Sequence, residues 1–187
     1  LSVGAGLDAR FNSFARVRFA WDRVRAGGGD LPRRQLHFEF RSNPARHVSQ
    51  LVLRGWLGEQ VDFAQARLGR GASVVAGATL RPTDHLELAW QSERRWLDVP
   101  VDGQAERQRL FTAATDRVKG TYTFTSRMFL RLILQHVGTE RDPGLYAAPP
   151  PPAQAGFLQA SALFAYKLNW QTVLFLGYGD NRELDER

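Results

Sequence analysis

The feature that most constrains this chain is a hydrophobic period of two. Apolar and polar residues alternate over stretch after stretch, which sorts them onto the two faces of extended strands. Val118, Gly120, Tyr122 and Phe124 share one face, and Lys119, Thr121 and Thr123 the other. From Arg127 to His136, Met128, Leu130, Leu132 and Leu134 oppose Arg127, Arg131 and Gln135, with Phe129 and Ile133 among the latter. From Leu158 to Leu168, the row Leu158, Ala160, Ala162, Phe164, Tyr166 and Leu168 opposes Gln159, Ser161 and Lys167. Upstream, Ala15, Val17, Phe19 and Trp21 oppose Arg16, Arg18 and Asp22. Leu36, Phe38 and Phe40 oppose Gln35, His37 and Glu39, and Leu86, Leu88 and Trp90 oppose His85, Glu87 and Gln91. Val3 to Phe11 and Val48 to Leu57 alternate less cleanly. Val74 to Leu80 and Thr172 to Tyr178 are apolar on both faces and owe their assignment to their neighbours. This reads as about ten strands, each near the ~9–11 residues that a membrane-crossing strand needs.

The connections carry a second signal. Tight-turn chemistry sits at Asn12-Ser13, Asn43-Pro44-Ala45, Pro82-Thr83-Asp84, Thr125-Ser126 and Asn169-Trp170. Between these lie longer stretches: Arg25 to Pro32 with its Gly27-Gly28-Gly29 run, Glu59 to Gly71, Arg94 to Arg107, and Gly138 to Ala155. The last contains Pro149 to Pro152, which cannot donate to a ladder and is expected to be extended. Gln104 to Thr115 fits a short helical turn or an extension of the next strand. Short turns on one rim and long loops on the other predict an all-β, antiparallel, up-and-down transmembrane β-barrel of the outer-membrane type. A complete barrel of this type keeps both termini on the turn side. The expectation is therefore a partial barrel, residues 1–187 being part of one C-terminal barrel domain with about ten of its strands, and with at least one strand missing at each end.

Parity then sorts the side chains. Arg16, Arg18, His37, Glu39, Arg54, His85, Glu87, Lys119, Arg131 and Lys167 are expected to face a polar lumen. Phe11, Trp21, Phe40, Trp90, Phe124 and Tyr166 are expected to form aromatic belts at the lipid interface. Trp56 breaks the pattern by sharing the polar face with Arg54.

Composition narrows the function classes. The chain has no Cys, which excludes a disulfide framework, a thiolate metal site and a Cys nucleophile. No apolar run approaches the ~18 residues of a transmembrane helix. The formal net charge is +6, and of 25 basic residues 23 are Arg. Those arginines alternate with apolar residues and mix with Asp8, Asp22, Glu39 and Glu87, so a nucleic-acid partner is not expected. The pairs His37/Glu39 and His85/Glu87 each place an imidazole and a carboxylate on one strand face. They read as parts of a hydrated polar ladder, with no metal and no cofactor expected. The glycine run lacks a following Lys and helix and reads as a flexible loop, not a phosphate cradle. No catalytic residues are expected. The rival readings are a barrel-embedded outer-membrane enzyme, with its site at the loop rim near Asp22, Glu93 or Asp98, and a soluble β-barrel that binds a ligand.

The C-terminal third carries a resemblance. Val118-Lys-Gly-Thr-Tyr-Thr-Phe-Thr-Ser-Arg127, Phe129-Leu-Arg-Leu-Ile-Leu-Gln135 and Phe164-Ala-Tyr-Lys-Leu-Asn-Trp-Gln-Thr-Val-Leu-Phe-Leu-Gly-Tyr-Gly-Asp180 resemble one family of bacterial outer-membrane proteins. In that family a carbohydrate-binding module of the family-9 type precedes a C-terminal barrel domain of unknown function. The resemblance covers roughly Leu110 to Asp180, and Trp170 departs from the Pro or Gly expected in its turn. It implies a bacterial outer-membrane location, outer-membrane lipid as a partner, and a role as a pore, uptake or surface-binding protein for polar or anionic solutes or glycans.

Overall fold

The computed structural model describes residues 1–101 and 106–184. It is all-β apart from one 3₁₀ turn. Ten strands follow one another: β1 (Ser2–Ala9), β2 (Ser13–Ala26), β3 (Gly29–Ser42), β4 (Val48–Asp62), β5 (Arg67–Leu80), β6 (Leu86–Val99), β7 (Gln108–Thr125), β8 (Met128–Arg141), β9 (Gln154–Lys167) and β10 (Val173–Glu183). They form one sheet in sequence order, each antiparallel to the next. β1 and β10 are its two edges, and the sheet is not closed.

Register keeps the two faces apart across the whole sheet. Val3, Phe19, Leu36, Leu57 and Ala72 are successive cross-strand partners, as are Leu80, Leu88, Gly120, Leu132, Ala162 and Tyr178. On the opposite face, Arg18 meets His37, which meets Trp56, which meets Ser73. A one-residue slip anywhere would exchange the faces, so the apolar pattern itself pins the register.

The strands are longer than alternation alone reveals, and this corrects two of the expected loops. Arg25 to Pro32 is a tight hairpin: Ala26 pairs Gly29, leaving only Gly27 and Gly28 as the turn. Both have positive φ, 58° and 83°, as a primed two-residue turn requires. The glycine run is turn chemistry, not a flexible loop. Glu59 to Gly71 is likewise mostly ladder, with Asp62 pairing Arg67 around a turn at residues 63–66. Glycine at Gly69 and Gly71 masks the alternation there. Strand β6 also runs through Arg94 to Val99 and β8 through Gly138 to Arg141. The ladder from Gln108 to Thr115 settles that part of the ambiguous stretch as strand; Gln104 and Ala105 lie outside the described residues. The long connections are therefore residues 100–107 and 142–153, both at the same end of the sheet. Trp170 needs no glycine beside it, because the Asn169 side chain accepts from the backbone N–H groups of Gln171 and Thr172, both at 2.9 Å, and builds the turn.

The core is small and lies at that end. Leu97, Val99, Leu110 and Leu145 cluster with Val101, Phe111 and Tyr146. The register shift beside Leu97 and Asp98 accommodates an additional residue in β7. The connection after β8 folds back over this cluster. Asp142 caps a 3₁₀ turn at Pro143–Leu145 by accepting from Gly144 N–H at 3.0 Å. Tyr146 donates its hydroxyl to the Leu110 carbonyl at 3.4 Å. Gln65 and Arg67 reach the Leu145 carbonyl at 3.0 and 2.8 Å, bridging from the β4–β5 hairpin past β6 and β7.

Candidate functional site

The polar face is concave, and this makes it the candidate site. A flat sheet would hold β3 and β7 about 19 Å apart. Yet Arg41 of β3 and Lys119 of β7 line one cavity of about 430 Å³, together with Arg54, Gln91 and Arg117. A neighbouring cavity of about 450 Å³ shares Arg41 and Arg54 and adds Arg16, Arg18, His37 and Trp56. A third, of about 620 Å³, shares Lys119 and takes in Arg46, Arg81, His85, Glu87 and Arg131. The three form a chain of basic concavities on the inner surface of a curled sheet.

The residues singled out by parity distribute as follows. Arg16, Arg18, His37, Glu39 and Arg54 come together in the second cavity, while His85, Glu87, Lys119 and Arg131 come together in the third. His85 lies in the turn just before β6, its Nδ1 2.7 Å from the Thr123 carbonyl. Lys167 shares the face by register but ends β9, where its backbone N–H donates to Arg127 O at 2.8 Å. His37 and His85 therefore belong to separate cavities. Arg41 and Arg117 also line the site and were not singled out, although each lies one step of two from a chosen residue, Glu39 or Lys119; Gln91, already on the polar face by parity, joins them two such steps beyond Glu87.

Charge is unevenly compensated. Glu87 is held by Arg81 at 2.9 Å and by Lys119 at 3.4 Å. Glu39, opposite both Arg16 and Arg54 in register, forms its ion pair with Arg41. Arg18, Arg54 and Arg117 have no carboxylate partner in ion-pair range among the described residues. Arg16 and Arg131 lie over the rings of Phe14 and Phe129. The Nε of Arg131 is buried without a hydrogen-bond partner.

The rim carboxylates do not assemble. Asp22 takes a bidentate pair from Arg33, at 2.9 and 2.6 Å, and the Arg33 guanidinium holds its carboxyl below the usual aspartate range. Asp98 is paired with Arg109 by an ion pair between β6 and β7. Glu93 accepts from the Ser73 hydroxyl at 3.5 Å. Asp22 and Glu93 lie on the inner face, four strands apart, and Asp98 shares the opposite face with Trp96.

The other face is apolar and uncovered. Phe11, Trp21, Phe40, Trp90, Phe124 and Tyr166 are 37–66% exposed. Between them lie exposed Val17, Leu53, Leu57, Val118, Leu132 and Leu134. Above Trp21, Trp90 and Leu134 this face turns polar with Arg23, Glu59, Arg70, Asp116 and His136, Arg94 pairing Asp116 at 2.7 Å. Apolar stretches such as Met128 to Leu134 and Ala72 to Leu80 are about 20–26 Å long at ~3.3 Å per residue. No family model, curated protein or solved structure matches the chain.

Proposed function

We propose that this chain forms part of the wall of a bacterial outer-membrane β-barrel that passes or binds polar or anionic solutes on its basic inner surface. The observation that carries the reading is the division of faces: an uncovered apolar band with aromatic borders outside, and arginine-lined concavities inside. Soluble monomers rarely expose contiguous apolar patches beyond about 300–600 Å². Lipid would cover the band, and a height of roughly 25 Å between aromatic girdles is what a bilayer-spanning barrel presents. In such a setting every strand edge must be paired, so β1 and β10 would join each other or further strands. The resemblance of Leu110 to Asp180 to barrels preceded by a family-9-type module adds glycans to the candidate solutes.

Electrophoresis of the natural full-length protein, refolded in detergent and loaded with and without boiling, tests the membrane reading. A mobility shift with β-type circular dichroism is expected; a monomer in plain buffer with no shift would favour the soluble ligand-binding barrel instead. Reversal potentials in planar bilayers test the interior, where anion selectivity is expected and cation selectivity would overturn the assignment.

A further inference from the structure

The second cavity carries an indole on the polar face itself, among its guanidinium groups: Trp56 lies there by register, whereas Trp90, which borders the first cavity, belongs to the apolar face. Arg18, His37 and Trp56 are cross-strand partners, and Arg16, Glu39 and Arg54 form the adjacent row on the same face. Three strands by one side-chain repeat make a patch about 10 Å by about 7 Å. That is the footprint of one six-membered ring with a carboxylate attached. Trp56 has Ser73 opposite it and Gly58 two residues along, so no large neighbour from those positions covers the indole. Glu39 is the carboxylate inside the patch, and its ion pair goes to Arg41 at the edge.

We propose that Arg16, Arg18, His37, Arg54 and Trp56 form a binding site for a ring-bearing carboxylate. Arg18 and Arg54 take the carboxylate, for which their planar forks suit bidentate contact. The Trp56 indole takes the ring face, either the C–H face of a sugar acid or the π face of an aromatic acid. The inference deepens the preceding reading and rests on one part of it, that the inner face is open to solvent.

Titration calorimetry of the full-length protein in detergent tests it with four probes: D-glucuronate, benzoate, acetate, which lacks a ring, and D-glucose, which lacks a carboxylate. At least one ring acid is expected to bind fivefold or more tighter than both acetate and glucose. Trp56→Ala should reduce that advantage below twofold, whereas Trp56→Phe should keep it, showing that the fold has survived. Arg18→Ala/Arg54→Ala should weaken ring acids at least fivefold and leave glucose unchanged. Whichever ring acid carries the advantage identifies the source of the ring. A ring advantage below fivefold, or one that persists in Trp56→Ala, overturns the proposal. Because this readout is binding, loss of the site is distinguishable from loss of the membrane reading, which the boiling shift reports.

Discussion

Gly58 shows how much a single position can govern. Its φ is +139°, and a Cβ there would stand 2.3 Å from the Arg34 carbonyl oxygen. It pairs with Gln35 at the last rung between β3 and β4, beyond which the β2–β3 and β4–β5 hairpins separate. Gln35 and Glu59 stitch the fork, the Gln35 amide donating to Glu59 O at 2.9 Å and Arg34 N–H donating to the Glu59 carboxylate at 2.8 Å. Gly58→Ala combines a disfavoured backbone conformation with a backbone clash and is expected to cost about 2–3 kcal/mol, measurable by urea unfolding in detergent. A second effect at this scale concerns Asp22, beyond the Trp21 belt. Its folded pKa is depressed by the hydrogen bonds from Arg33, so its contribution to the hairpin is present above the unfolded aspartate value and is lost as pH falls through the lower folded one. Amide exchange at the tip, corrected for intrinsic rates, should rise over that acid window. In Asp22→Asn the same rise should be absent.

Elements differ in how openly they declare themselves. Most strands are legible because alternation survives wherever one face is polar, as at Lys119, Thr121 and Thr123, while β5 and β10, apolar on both faces at Val74 to Leu80 and Thr172 to Tyr178, are placed only by their neighbours. Strand ends are not legible, because Gly58, Gly69 and Gly71 interrupt the pattern where neighbouring backbones approach closely. Three consecutive glycines have no periodicity and so look like a loop, although Gly27 and Gly28 supply the positive φ of a tight hairpin. Which face carries Arg16, Arg18 and Arg54 followed from parity alone. Their convergence with Trp56 did not, since it depends on register and curvature. The connection after β8 was least legible, because Arg67 and Leu145 meet only once the sheet has curled. There Arg67 also pairs with buried Asp62 at 2.9 Å. Arg67→Ala would leave that carboxylate without its ion-pair partner and strip the Leu145 carbonyl of one of its two hydrogen bonds, the other coming from Gln65, at an expected cost of about 2–3 kcal/mol. Limited proteolysis should then cut within residues 142–153 faster than in the parent.

At the scale of the whole molecule, the exposed apolar face is the feature that most calls for a covering partner. If lipid covers it, Leu132→Arg near mid-band should cost about 2–4 kcal/mol in bilayers, with little penalty for Thr121→Arg on the inner face. Folding titrations in lipid vesicles measure the contrast, and equal costs would argue that both faces meet water. The order of assembly follows from the latch between Leu145 and the β4–β5 hairpin. Every ladder joins consecutive strands, so each hairpin can zip against its predecessor with little loop-closure entropy. The bond from Gln65 to the Leu145 carbonyl spans 80 residues and has no partner until β6, β7 and β8 are in place. It is a late checkpoint, closing after the neighbouring rungs have formed and reporting, by its closure, that the wall has been laid in the right sequence.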